Sequence, residues 1–347
     1  MKNSLKEKIS AFSTSDLMKY RTEIFGIAAI WIVIFHVYNY VSLPLPDFPG
    51  RYIIFKIISF GNMGVDMFLF LSALGLYYSM SKNNISRFYN NRFKRVAVPY
   101  LILAVPFFVF LDFFALKDGI WNYLGNVTTV KYWLTGDHPT WYIAFIIIAY
   151  IFYPLIYKFN NKTKGVSTVF LICASVIIEF ILFKTNNILY QNAERALSRI
   201  PIFLFGVLLS DLVLNKNIKI HFCAVIGAFV IAIGIFLFAD RLHIILMRYA
   251  YGIMAICLIV LYSFLRTIFN FKLIAAALKW FGEISLEIYV VHVFLLRIIR
   301  VYDLWNILPA VVWYVLILIV AVTFAKLVSK LAKYMLNFKR KGRVKQV

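Results

Sequence analysis

The chain has 347 residues, of which 63% are hydrophobic, and it carries a formal net charge of +22. The mean hydropathy of +0.82 and the long apolar blocks exclude a soluble globular domain, which is closer to half apolar. The positive charge does not indicate a nucleic-acid partner, because the Lys and Arg residues lie between the apolar blocks, where they set membrane topology.

Ten apolar blocks are long enough to cross a bilayer, and they predict an all-α integral membrane protein. In chain order they are 24–43, 61–80, 96–116, 140–158, 165–183, 199–214, 221–239, 248–265, 281–299 and 307–327. A further stretch at 52–60, flanked by Arg51 and containing Lys56, predicts a helix in the membrane interface before the second span.

The distribution of positive charge supports this count. With the N-terminus in the cytoplasm, 26 of the 37 Lys and Arg residues fall on the cytoplasmic side and 11 on the outside. Both termini are therefore predicted to be cytoplasmic. The chain divides into a cytoplasmic segment 1–23, a ten-helix membrane domain 24–327 and a basic cytoplasmic tail 328–347 that suits anionic lipid.

The cysteines do not predict a disulfide framework or a metal site. Cys173, Cys223 and Cys257 all lie inside apolar blocks, and their spacing is not that of metal ligands. We expect them to pack as small apolar side chains, and we expect no metal.

Three polar side chains lie at a similar depth in three predicted spans. They are His36 in WIVIFHVYNY, Asp66 in GNMGVDMFLFLS and His292 in FGEISLEIYVVH. Ionisable groups in lipid are costly and usually face a cavity or a partner, so the three predict one buried polar site. A core histidine bonded to a backbone carbonyl of another helix is the structural alternative. For His36 we favour a general base whose tautomer Asp66 fixes.

Other ionisable side chains point less clearly to a site. Asp112, Glu179 and Asp211 lie near predicted span ends, where we expect them to reach water. The remaining histidines are expected at the surface; they are His138, His221 and His243.

Two further stretches carry candidate site residues. In RFYNNRFKRVAVPY, Arg92 and Arg95 are three residues apart, so on a helix they share a face and can bind one anionic group. A positive-inside anchor is the alternative for this pair. In FGEISLEIYVVH, Ser285 and His292 fall on one helical stripe with Tyr289 between them, and Glu283 stands at the membrane edge.

Together these stretches resemble the acyltransferase-3 family of integral membrane O-acyltransferases. The resemblance covers the chain from about Arg21 to His292, with six motifs in the family's order. They are GIAAIWIVIFH, GNMGVDMFLFLSALGLYYS, RFYNNRFKRVAVPY, TWYIAFIIIAYIFYPLI, RIPIFLFGVLL and FGEISLEIYVVH. Many members have an arginine where this chain has Phe25, and Arg21, one turn earlier, can replace it.

The resemblance implies that a short acyl group, usually acetyl, passes from cytosolic acyl-CoA to a hydroxyl of a cell-surface carbohydrate or its lipid-linked precursor. It implies a multi-pass protein of the bacterial cytoplasmic membrane, with acetyl-CoA as donor substrate and no permanently bound cofactor. The family motifs assign chemistry to His36, Asp66, Ser285 and His292, and donor binding to Arg21, Arg92, Arg95 and Glu283. Direct transfer and an acyl-histidine intermediate are both open.

A rival interpretation is a ten-helix transporter or flippase for a glycan or a small anion. Its intramembrane histidine and aspartate would then form a proton relay. No inverted repeat or pair of broken helices supports this alternative, and a transporter has no need for arginines that bind CoA.

Overall fold

The computed structural model describes residues 12–40, 49–137, 139–216, 218–242, 244–269 and 271–344. The predicted surface histidines His138 and His243 lie outside the described residues. The described chain is almost entirely helical, and it confirms the predicted all-α membrane fold.

The described residues of the first half form nine α-helices. They are α1 (Ser15–Lys19), α2 (Arg21–Tyr40), α3 (Arg51–Ser59), α4 (Met63–Lys82), α5 (Ile85–Arg92), α6 (Val98–Val109), α7 (Ile120–Val127), α8 (Val130–Thr135) and α9 (Trp141–Lys162). The second half continues with α10 (Val166–Lys184), α11 (Ile188–Leu197), α12 (Ile200–Asp211), α13 (Phe222–Leu242), α14 (Ile244–Ile268), α15 (Lys272–Glu283), α16 (Ser285–Val301) and α17 (Ala310–Val344). Short 3-10 turns occur at Phe60–Asn62 and Leu304–Ile307, and π-helical turns at Phe93–Ala97, Phe110–Ala115 and Leu212–Lys216.

Eight helical segments in the described residues are long and apolar enough to cross a membrane. They are Arg21–Tyr40, Arg51–Lys82, Ile85–Ala115, Trp141–Lys162, Val166–Lys184, Ile188–Lys216, Met247–Ile268 and Ala310–Asn337. The predicted spans 221–239 and 281–299 correspond to α13 and to α16, which has 17 residues. The chain is a multi-pass membrane protein, while the count of ten crossings and the cytoplasmic side of both termini stay predictions.

Two predicted boundaries differ from the structure. The predicted interfacial stretch 52–60 is helical, but α3 runs through the 3-10 turn directly into α4, and together they form one segment of 32 residues. Helix α17 continues through the boundary predicted at 327 to Val344, so the described part of the basic tail extends the last membrane helix.

Glycines bring the helices around His36 into close contact. A Cβ at Gly26 of α2 would collide with the carbonyl oxygen of Leu278 in α15, and one at Gly282 would collide with that of Thr22. A Cβ at Gly64 of α4 would lie 2.9 Å from the carbonyl oxygen of Ala28. Backbones this close are typical of helix crossings built from small residues in membranes. The glycines therefore fix α2 between α4 and the α15–α16 segment.

Two strands of two residues each tie the start of the described chain to the segment before α13. Strand β1 (Phe12–Ser13) pairs antiparallel with β2 (Lys219–Ile220). These two segments therefore lie at the same end of the helix bundle.

Two acidic side chains expected to reach water are buried. Asp112 is fully buried and accepts hydrogen bonds from Asn126 Nδ2 on both carboxyl oxygens, at 3.0 and 2.9 Å. Glu179 accepts a hydrogen bond of 2.6 Å from the hydroxyl of Tyr249. Both carboxyl groups are stabilised by hydrogen bonds from side chains on other helices. Their positions near predicted span ends did not reveal these partners.

Candidate functional site

The structure joins the two predicted intramembrane histidines directly. His36 lies four residues before the end of α2, and His292 lies in the middle of α16 with no exposed surface. His36 Nδ1 and His292 Nε2 are 2.8 Å apart, and the two rings stack with their centroids separated by 5.1 Å. The structure therefore brings together two of the three side chains that the depth argument grouped.

A backbone carbonyl fixes the tautomers of both rings. His292 Nδ1 lies 3.0 Å from the carbonyl oxygen of Ile288, which can only accept a hydrogen bond. His292 Nδ1 must therefore carry a proton, and in the neutral ring Nε2 is an acceptor. His36 Nδ1 then donates to that acceptor, so the lone pair of His36 lies on Nε2. A neutral imidazole with a free Nε2 lone pair is suited to accept a proton from a hydroxyl group.

Asp66 has a different partner from the one predicted. Its Oδ1 lies 3.4 Å from Nε of Arg199, and both side chains are buried. Arg199 Nη2 also donates to Asn62 Oδ1 at 2.6 Å. The role assigned to Asp66, fixing the tautomer of His36, is performed by His292. Asp66 instead provides the counter-charge for an arginine buried at the start of α12.

We call the space in front of His36 the histidine cavity. Its volume is about 640 Å³, and it lies among the His36 end of α2, the start of α4 and the last turns of α16. Its polar lining consists of His36, Asn39, Asn62, Thr135, Asp137, Gln191, Arg195, Arg199, Arg248, Arg297 and Arg300.

All four predicted donor-binding residues line a second cavity, which we call the paired-arginine cavity. Arg21, Arg92, Arg95 and Glu283 lie around about 220 Å³ of space. Arg21 Nε donates to the carbonyl oxygen of Leu71 at 3.0 Å. Lys94 and Lys333 add two further cations, and Glu287 adds a second carboxyl group. Five cations therefore face two carboxyl groups, and the cavity is basic.

Arg21 reaches the space beside position 25. Its guanidinium carbon lies 4.5 Å from the centre of the Phe25 ring. The guanidinium group also passes over Gly75 of α4, where a Cβ would lie 2.7 Å from Nη2. The absence of a side chain at Gly75 therefore leaves room for Arg21 to replace an arginine at position 25.

Arg92 and Arg95 do not share a regular helix face as predicted. Arg92 ends α5, and Arg95 lies in the π-helical turn Phe93–Ala97. Arg92 is partly buried, and its Nη2 donates to Ser79 Oγ at 3.3 Å, whereas Arg95 is exposed. Both nevertheless line the same cavity.

Ser285 lies in the paired-arginine cavity and not with the histidines. It precedes His292 by seven residues, which is about 10 Å of helix rise. Its hydroxyl donates to the carbonyl oxygen of Gly282 at 2.9 Å. Ser285 and His292 do lie on one face of α16, but a shared face does not fix how far apart two residues lie along the helix. The prediction that Ser285 takes part in the chemistry beside His36 does not fit this geometry.

The two cavities begin at opposite ends of α2 and come close to each other between those ends. Arg21 and Phe25 line one cavity, and His36 and Asn39 line the other. Both cavities have Ile32 and Val65 in their lining. One layer of aliphatic side chains therefore separates the basic cavity from the histidine pair.

Comparison with known proteins agrees with this architecture. The family model described as an acyltransferase domain, that of the acyltransferase-3 family, matches residues 26–330. The chain belongs to the acyltransferase-3 family. The matched region of this acyltransferase-3 protein runs from α2 to α17 and includes every residue that lines the histidine cavity. No curated protein and no solved structure matches the chain.

No role was predicted from the sequence of this acyltransferase-3 protein for the arginines of the histidine cavity, although Arg199 begins the motif RIPIFLFGVLL. Arg195, Arg199, Arg248, Arg297 and Arg300 lie near helix ends and resemble topology signals. Two signals were present. Arg195 and Arg199 are four residues apart, and the buried Asp66 required a cation from another helix.

Proposed function

We propose that this protein is an O-acyltransferase that moves an acetyl or other short acyl group from cytosolic acyl-CoA to a hydroxyl of a cell-surface carbohydrate or its lipid-linked precursor. The observation that carries the proposal is the chain of hydrogen bonds from Ile288 through His292 to His36. It leaves a basic nitrogen beside a cavity large enough for a sugar.

The basic cavity supports acyl-CoA as the donor. Phosphate groups are bound well by guanidinium forks, and Arg21, Arg92 and Arg95 surround one space. From Arg21 to His36 the axial distance along α2 is about 22 Å, estimated from the helix rise. The phosphates of CoA would stay among the arginines, while the pantetheine arm carries the thioester past Ile32 and Val65 towards His36.

The chemistry at His36 is a general-base transfer. His36 Nε2 takes the proton of the acceptor hydroxyl as its oxygen attacks the thioester carbonyl. An ester C–O bond forms, the C–S bond breaks, and the proton passes to the departing thiolate to give free CoA thiol. His292 Nε2 accepts from His36 Nδ1 throughout, so it holds the ring and stabilises the imidazolium form.

Ligand protection of the full-length protein in detergent tests donor binding. CoA or acetyl-CoA at about 100 times its Kd should raise the apparent stability by about 2.7 kcal/mol. Arg92→Gln and Arg95→Gln should reduce this protection, since each removes a cation from the paired-arginine cavity. His36→Ala should keep it, because His36 lies in the other cavity.

Arg87→Gln is the matched control for this experiment. Arg87 lies on α5 close to Arg92 but is exposed and does not line the cavity, so its loss should leave protection unchanged. If neither CoA nor acetyl-CoA protects the wild type at any concentration, the donor assignment is wrong and the transporter alternative gains support.

A further inference from the structure

The histidine cavity contains more positive charge than a neutral sugar requires. Five arginines line it, at the ends of four helices that meet around His36, and direct transfer to a hydroxyl uses none of them. They are Arg195, Arg199, Arg248, Arg297 and Arg300.

Three of these arginines have carboxylate partners. Arg199 pairs with Asp66, as described above. Arg248 Nε lies 2.9 Å from an oxygen of Glu194. Arg297 binds both carboxylate oxygens of Asp137, at 3.2 and 3.1 Å, and so joins α16 to the loop before α9. These pairs hold three cations in fixed positions around the cavity.

The other two arginines have no carboxylate partner among the residues that the structure describes. Arg195 on α11 and Arg300 near the end of α16 are both exposed to the cavity mouth. The ring of Tyr132 lies close to Arg195, but burial raises the pKa of Tyr132 to about 12, so it stays uncharged. The described part of the site therefore has a surplus of two positive charges.

One of the paired arginines also has an N–H group to spare. Nε of Arg297 is buried and makes no hydrogen bond in the described part of the chain, since Asp137 is bound by the two terminal nitrogens. A buried donor without a partner is costly, so a ligand oxygen at this position would be stabilising. Surplus charge and an unused donor together are the features of an anion site.

We propose that the acceptor alcohol carries an anionic group, a phosphate ester or a carboxylate, which Arg195 and Arg300 bind while a hydroxyl of the same molecule faces His36. The inference rests on the acyltransferase function proposed above and specifies its acceptor.

The positions of the two arginines suit a molecule of sugar size. Arg300 lies eight residues beyond His292, about 12 Å along the axis of α16, and helical side chains lean back towards the N-terminus, here towards His292. Arg195 lies close enough for its charge to act on the His36 ring. Asn39 and Asn62 line the same cavity and can bind neutral hydroxyl groups.

The bound anion would also assist the transfer step. His36 gains a positive charge when it accepts the hydroxyl proton, and Arg195 and Arg199 are cations nearby. An anion between Arg195 and Arg300 offsets part of that repulsion in a site of low dielectric. Binding of the correct acceptor therefore favours the protonation that the reaction needs.

Thermal protection of the full-length protein by three matched sugars tests the inference. The probes are glucose 6-phosphate, glucuronic acid and glucose, which differ at C6 in charge. We expect the charged sugars to protect and glucose to protect far less. In Arg195→Gln/Arg300→Gln the Kd of the charged sugars should rise at least about tenfold, because charge-assisted hydrogen bonds are lost.

Lys184→Gln is the charge-matched control. Lys184 ends α10 on the same side of the bundle, is exposed and does not line the cavity, so it should bind the charged sugars like the wild type. CoA protection, measured in every variant, shows that the protein is folded and tests the donor site separately. If CoA does not protect the wild type, the proposed function loses its support. The sugar measurements still test the anion site, because they do not depend on CoA binding.

The outcomes separate cleanly. Protection by only one of the charged sugars supports the inference and identifies the anion as phosphate or carboxylate. Equal protection by glucose, or full binding of the charged sugars by Arg195→Gln/Arg300→Gln, would overturn it.

Discussion

The carbonyl of Ile288 determines which nitrogen of His36 can act as a base. Because this carbonyl can only accept, His292 Nδ1 must carry a proton. His292 Nε2 is then the acceptor in the 2.8 Å hydrogen bond, and His36 Nδ1 is the donor. Among the described residues no carboxylate takes part, in contrast to triads in which an acid orients the histidine. In the proposed mechanism His292 is therefore a positioning residue, and His36 is the one that meets the substrate.

Substitution of His292 tests this division of roles. His292→Phe removes the acceptor for His36 Nδ1 and should lower kcat by about 10- to 100-fold, less than the loss of the base itself, since general-base catalysis contributes about 10²–10⁴-fold. His292→Gln, whose amide oxygen can accept the same proton, should recover part of kcat. The KM values for donor and acceptor should stay close to wild type in both variants. Wild-type kcat in His292→Phe, or an effect confined to KM, would contradict the assignment.

At the residue scale, the sequence predicted those site residues whose burial in lipid is itself unusual. His36 and His292 were found from their depth alone, and the motif arginines Arg92 and Arg95 do share a cavity. The partner of Asp66 was not predictable, because Arg199 is distant in sequence and the pairing depends on which helices pack together. Ser285 was misplaced because helical periodicity gives direction and not depth.

At the scale of elements, the close approach of α2 to α15 and α16 holds the histidine pair together. The carbonyls of Thr22 and Leu278 occupy the space that side chains at Gly282 and Gly26 would need. These atoms belong to the backbone and cannot move aside as a flexible side chain would. The crossing is therefore intolerant of even one added methyl group.

Alanine substitutions measure this intolerance. Gly26→Ala or Gly282→Ala should destabilise the protein by about 1–3 kcal/mol through overpacking and lower its thermal midpoint in detergent. Gly227→Ala is the control, because a Cβ at Gly227 of α13 meets nothing within 4 Å and alanine favours helix. Equal midpoints for Gly282→Ala and Gly227→Ala would show that the crossing does not support the fold.

Hydropathy predicted the helices well but not their details. Each predicted block contains a helix, because an apolar segment in lipid must satisfy its own backbone hydrogen bonds. The π-helical turn at Phe93–Ala97 was missed, since it depends on local packing that no periodic pattern encodes. The short helices α7, α8 and α11, which lie between apolar blocks, were missed for the same reason.

At the scale of the whole molecule, the essential feature is two polar cavities at opposite ends of α2, separated at Ile32 and Val65. One is basic and suits a nucleotide thioester, and the other contains the histidine pair. On the predicted topology, the first opens to the cytoplasm and the second to the outside. The reaction then joins substrates that never share a compartment.

Acyl transfer by His36→Ala in inside-out membrane vesicles tests this arrangement most directly. Acetyl-CoA with a labelled acetyl group is added outside the vesicles, on the original cytoplasmic side, and the acceptor is enclosed within. The wild type should move label to the enclosed acceptor, whereas His36→Ala should transfer at least about 100-fold more slowly while CoA still protects it from thermal unfolding. Transfer by His36→Ala at the wild-type rate would contradict the central role of the His36 imidazole.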